Sequence, residues 1–258
     1  GPSGRYQIAE VIIRDGVGIL DAAGGWISGS QIRESRARQQ SQRGIAPATV
    51  SVEWARHRIE AARRMNAESK RILPLGLDRC QELLAPLPEA APAHPVEDLE
   101  ASITSEQAWA AAPLSASLHA EPELGAWMPD THAIEEMLRN LGARLGPEGV
   151  KDPDAIGPAL REEVLSATDR FFSPEVRVVI EGRMRDAAIS IRARKGDAAA
   201  THLLGVARAV REAGLITSPP RDVAFLVAMF DKAVAYMLQQ GKGSLRIPVP
   251  AAQPEAST

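Results

Sequence analysis

The chain has 258 residues, of which 45% are hydrophobic, 24% charged and 4% aromatic, with one cysteine and a formal net charge of −3. That composition excludes a disordered or collagen-like chain, and a single cysteine excludes an internal disulfide framework. No run reaches the roughly 20 apolar residues of a membrane span and no secretory leader is legible, so the expectation is a globular cytoplasmic protein; the opening GPSG, lacking an initiator methionine, reads as a trimmed start.

The small net charge hides an asymmetry. Residues 1–77 carry a balance of +5, residues 78–136 one of −11, and residues 137–258 one of +3. An acidic belt thus separates two mildly basic segments.

The first stretch, RYQIAEVIIRDGVGILDAAGGWISG, admits two readings. Ile8, Val11 and Ile12 fit a helical face, whereas Asp15-Gly16 between two apolar runs is a hairpin signal. SQIRESRARQQSQRG follows, polar all round, and predicts an exposed helix or a segment that orders on a partner. Over 52–71 the period becomes helical. Trp54, Ala55, Ile59, Ala62 and Met65 share one half of the wheel, and Arg56, His57, Arg63, Arg64, Lys70 and Arg71 the other, as a basic stripe interrupted by Glu60 and Glu68.

Residues 86–129 contain seven prolines, seven acids and no Lys or Arg. A 44-residue connection is too long for a plain loop. It reads as an extended linker or as a wrapping segment with short helices such as TSEQAWAAA, and Trp109 and Trp127 favour wrapping. Its acids are also expected to fold back over Arg56, Arg63, Arg64 and Arg71.

From Asp130 the punctuation becomes regular. Asp130 reads as an N-cap and Gly146-Pro147 as a stop, with a seam of Ile134, Leu138, Leu141 and Leu145. Pro158 can open the next helix, whose face is Leu160, Val164, Ala167 and Phe171. Ser173 and Pro174 open a long helix closed at Gly196, with Val176, Ile180, Met184, Ala188 and Ile191 on one side and an Arg177, Glu181, Arg185 ladder on another. Asp197 reads as the next cap, with Leu203, Ala207 and Val210 inward and Gly214 as stop. Ser218, Pro219 and Gly241 bracket the last helix. Within it VAFLVAMFDKAVAYML, 223–238, is apolar all round, which means a central helix or one shared with another chain; Phe225, Met229 and Tyr236 are the expected partner-facing residues.

No catalytic or cofactor signature stands out. His119, Glu121, Glu123, Asp130 and His132 form the one metal-type cluster, but prolines and a helix start separate them, so no metal site and no cofactor are assigned. Glu162 and Glu163 point apart on a helix, Ser28 and Ser30 lack the G-x-S-x-G elbow, and Cys80 reads as a core residue beside Leu77 and Leu84.

The sequence therefore predicts a mainly α protein: an antiparallel multi-helix bundle or stack over 130–241, a small N-terminal helical or mixed segment over 5–85, the acidic segment 86–129 between them, and a tail at 242–258. Residues 130–241 are expected to fold alone. The expected role is a non-enzymatic protein-interaction or adaptor module, with a protein partner and a second copy of the chain as one candidate. The alternative is an accessory, sequence-nonspecific nucleic-acid binder using Arg33, Arg36, Arg38, Arg43, Arg56, Arg63, Arg64 and Arg71; an enzyme of unrecognised type is the further alternative.

Overall fold

The computed structural model describes residues 4–14, 16–43, 45, 47–86, 90–215 and 218–240, without the side chains of 39, 40, 42, 43, 153 and 238–240. The expected Gly241 stop, the 242–258 tail, Asp15 and the Arg43 side chain lie outside these. The described chain is mainly helical, with a small N-terminal two-stranded sheet. It divides into two compact units, 1–101 and 102–258, so the acidic segment 86–129 is shared between them.

The first unit opens as a hairpin, which resolves the two readings of its sequence. β1 (Arg5–Arg14) pairs antiparallel with β2 (Gly18–Ser28). Four of the ten β1 residues, Ile8, Val11, Ile12 and Ile13, are β-branched, and Val17 N–H donates to the Arg14 carbonyl at 3.0 Å. Ile12 faces Asp21 while Ile13 faces Ile19, so Leu20 is a bulge residue in β2 and β1 keeps an unbroken alternation. α1 (Gly29–Arg43) starts with a reciprocal cap: Ser28 Oγ accepts from Gln31 N–H, and Gln31 Oε1 accepts from Ser28 N–H. Its described side chains past Ile32 are exposed, as a helix without an apolar stripe must be.

α2 (Val52–Glu68) is capped by Ser51 and followed by a 3-10 turn at Leu75–Cys80, α3 (Gln81–Leu84) and α4 (Glu97–Glu100). The core of this unit is small. Ile19, Ala22, Ala62 and Leu77 are buried, with Val11, Ile13, Ile59, Leu73 and Leu84 packed around them. Gly76 permits the closest approach, since a Cβ there would stand 1.7 Å from the Ala22 carbonyl oxygen. Met65, expected inward, is 39% exposed; the buried residue of that turn is Asn66.

The second unit begins with α5 (Ser105–Ala111), capped reciprocally by Thr104 and Gln107, and a 3-10 turn at Ala112–Ala120. α6 (Thr131–Gly149) is capped by Asp130 and breaks at Gly146, whose φ is +64°. α7 (Pro153–Phe171) opens five residues before Pro158, because Asp152 caps the Asp154 N–H at 3.0 Å and Pro153 takes the first helical position. α8 (Pro174–Lys195) is capped by Ser173 and ends at Gly196, with Ile180, Met184, Ala188 and Ile191 buried. α9 (Asp197–Glu212) takes Gly196 as its N-cap in place of Asp197, whose carboxylate instead accepts from Arg192 at 2.9 Å. α10 (Ala224–Gln240) follows a 3-10 turn at Pro220–Asp222 and so starts later than Ser218.

α8 packs on α9, α6 on α7, α5 on α9, and α10 on the 112–120 turn and α7. Phe171, Phe172 and Phe230 meet edge to face at its centre. In the ladder expected along α8, Arg177 and Glu181 are buried, and Glu181 meets Arg211 of α9 at 3.3 Å.

Candidate functional site

The second unit carries an apolar groove of about 380 Å³. α8 supplies Val176, Val179, Ile180 and Arg183, an i, i+3, i+4, i+7 set that lies on one helix face. The chain entering α6 supplies Trp127, Met128 and Asp130, α7 ends in it with Phe171, and α10 contributes Met229. Trp127 is held edge-on to Phe225 at 6.1 Å. The Asp130 carboxylate is committed to capping Ala133 N–H at 2.8 Å. At the groove's rim Val179 is 51% and Met128 38% exposed.

Of the three residues expected to face a partner, only Tyr236 is half-exposed. Phe225 is fully buried and its N–H donates to Ser115 Oγ at 2.8 Å, while Met229 is buried on the groove floor. α10 is apolar on most sides because α7, α6 and the 112–120 turn all pack on it; it is the central helix of the two options its sequence allowed.

In the first unit, α2, the 3-10 turn and α3 enclose a cleft of about 460 Å³ with Ile59, Leu73, Leu77 and Leu84 as apolar lining and Arg56, Arg63 and Asp78 as polar lining. Arg56 is spent on structure: its Nε donates to the Leu83 carbonyl at 2.9 Å and its guanidinium to the Pro86 carbonyl at 3.3 Å, at the negative end of α3. Arg63 and Arg64 share the single carboxylate of Glu60, at 3.2 and 3.6 Å. Arg33, Arg36 and Arg38 on α1, and Arg71, are exposed. Arg38 pairs with Glu34 at 3.4 Å on the same helix.

Of the four arginines expected beneath the acidic segment, Arg63, Arg64 and Arg71 are exposed, and Arg56 donates to the Pro86 carbonyl. Glu121 and Glu123 instead clamp the end of α8. Arg194 reaches Glu121 at 2.6 Å and Glu123 at 2.7 Å, and Lys195 also pairs with Glu121. Burial pushes the Glu121 carboxyl up, but hydrogen bonds from Arg194 and Lys195 outweigh it and hold the group below the usual carboxylate range. Glu212 is set the same way: burial opposes Arg208, Ser105 and Trp109, and the donors win.

Of the metal-type cluster, Glu121 and Glu123 are engaged by Arg194 and Asp130 by the Ala133 N–H. Among the described residues no group of three or more His, Cys, Asp or Glu could hold a metal ion. Glu163 is buried between Arg144 and Arg170, Ser28 and Ser30 sit at the start of α1, and the buried Cys80 thiol donates to the Gly76 carbonyl, with its pKa raised by burial. Sequence reasoning missed Asn66 and both clefts: a polar residue between two apolar ones reads as surface, and a cleft is made by elements distant in sequence. No helix among the described residues is long and apolar enough to cross a membrane.

Comparison of the chain with protein-family models, with curated proteins and with solved structures finds no match.

Proposed function

We propose that the chain is a non-enzymatic interaction or adaptor module whose second unit, an antiparallel helical stack, docks an amphipathic helix of a partner protein. The observation that carries this reading is the groove edged by exposed Val179 and Met128 and floored by Met229. Monomeric surfaces scatter large apolar side chains singly, and a contiguous apolar groove marks a contact site. A helix laid in it buries its own apolar stripe against the α8 face.

Replacing Val179 with Glu puts a charge at the groove mouth without touching the core. The melt should stay within about 0.5 kcal/mol of wild type, as for surface changes generally. A protein that co-purifies with the wild-type chain from its native cell should be lost on Val179→Glu and kept on a double Arg63→Glu, Arg64→Glu change in the other unit. Retention by Val179→Glu would sink the groove as the contact.

A second reading, an accessory nucleic-acid binder, is favoured by one observation: Arg63 and Arg64 share one carboxylate, leaving excess positive charge on an exposed face of α2. Binding to single- and double-stranded DNA would be read by fluorescence anisotropy across a salt series. Reversing Arg63 and Arg64 should weaken it and reduce the salt slope by roughly one to two, as expected for about 0.7–0.9 per phosphate contact. No binding at low salt removes this reading.

A further inference from the structure

β1 is a bare strand edge. None of its ten residues is buried, it contains no proline, and the bulge of the hairpin lies in β2. β2 is protected: the Asn66 amide accepts from Ile19 N–H at 2.6 Å and donates to the Ile19 carbonyl at 3.1 Å, while Gly76 lies against the Ala22 carbonyl. Among the described residues no third strand covers β1. Proteins blunt such edges with prolines, bulges or a covering segment, or else use them for pairing.

The side chains of β1 specify a partner. Val11 and Ile13 pack on the core, so Tyr6, Ile8, Glu10, Ile12 and Arg14 alternate to the opposite face, where Tyr6 is 48% and Ile12 46% exposed. A second copy can add to this edge about a two-fold axis perpendicular to the sheet. Such an axis pairs residues of the same face, which keeps both apolar cores on one side. Centred on Glu10, it sets like charges opposite. Centred on Ala9 or Val11, it sets Glu10 against an isoleucine. Centred on Ile12, it sets Glu10 opposite Arg14 of the second copy twice, Val11 opposite Ile13, and Ile12 opposite itself. Opposite charges directly across a strand pair stabilise it and like charges oppose it.

We infer that two copies of this chain associate through β1 in this register, forming a four-stranded antiparallel sheet with Ile12 on the two-fold axis. Five residues of each β1 pair, an ordinary strand length. The association is independent of the groove in the second unit.

The test uses the full chain in sedimentation equilibrium. Wild type should show a monomer–dimer equilibrium. Glu10→Arg and Arg14→Glu should each weaken it at least tenfold, and the double variant, which exchanges the two charges, should return it to near the wild-type value. A chain that stays monomeric, a dimer indifferent to both single changes, or a double variant no better than the singles overturns the proposal. Because a charge change could disturb the hairpin, Ile12→Cys supplies a second reading. On mild oxidation it should cross-link into a disulfide dimer, since Cys80 is buried and the two introduced thiols face each other, whereas Tyr6→Cys should not. Equal cross-linking at both positions, or at neither, also overturns it.

Discussion

Replacing residues 102–129 by a flexible linker of equal length is expected to abolish the cooperative unfolding of the second unit. The segment contributes Ile103, Ala108, Ala112, Ser115, Leu118 and Leu124 to the interior. Burying Ile103, Leu118 and Leu124 alone stabilises by about 1.5–3 kcal/mol each, a sum comparable with the whole stability of an ordinary domain at about 5–15 kcal/mol. Its removal also strips the Phe225 N–H of Ser115, leaves Glu212 without Trp109 and Ser105, and frees Arg194 from two carboxylates. Residues 130–241 are therefore not expected to fold alone, contrary to what their caps and seams suggest. The measurement is a thermal melt by far-ultraviolet circular dichroism, in the full chain and in the replacement. Two transitions with unchanged midpoints would show that the segment is dispensable. A single change, Leu124→Ala, should lower the stability of the same unit by about 2–5 kcal/mol.

Asn66→Leu is expected to destabilise the first unit by about 2–4 kcal/mol, because it keeps the volume while leaving the Ile19 N–H and carbonyl unpaired in the interior. Asn66 is 1% exposed and makes both bonds to the same β2 residue, so its amide acts as a one-residue strand on that edge. Gly18→Ala attacks the same contact from the other side: φ there is +105°, and a Cβ would stand 1.9 Å from Asn66 Oδ1. With only four buried residues in the core cluster, this unit has little to absorb such losses. Amide hydrogen exchange reads the effect directly. The Ile19 amide should be protected in wild type and lose protection in both variants, with α9 unaffected. Persistent protection of Ile19 in Asn66→Leu would refute the strand-mimic role.

The helices of the second unit were legible in the sequence, and so were the starts of α6 and α8 and the break at Gly196. Asp130, Ser173-Pro174, Gly196 and the inward faces of α8 and α9 depend on contacts within a few residues, where capping geometry and a 3.6-residue period act. α1, read as an exposed helix or a segment that orders on a partner, is an exposed helix among the described side chains, because a helix with no apolar stripe has nothing to bury. Tertiary structure decided the rest. Asp15-Gly16 between apolar runs left hairpin and helix open, and pairing of β1 with β2 over α2 selected the hairpin. The acids of 102–129 carried no local sign of their partners, since Glu121 and Glu123 meet Arg194 some seventy residues away. Phe225 and Met229 read as surface-seeking because a helix apolar all round does not say which side meets its own fold. Asn66 was invisible because a buried polar residue is recognisable only from the backbone groups it satisfies. The groove on α8 follows the same rule: Val176, Val179 and Arg183 share a face by local geometry, but Trp127, Phe171 and Met229 reach it only when four separate segments converge.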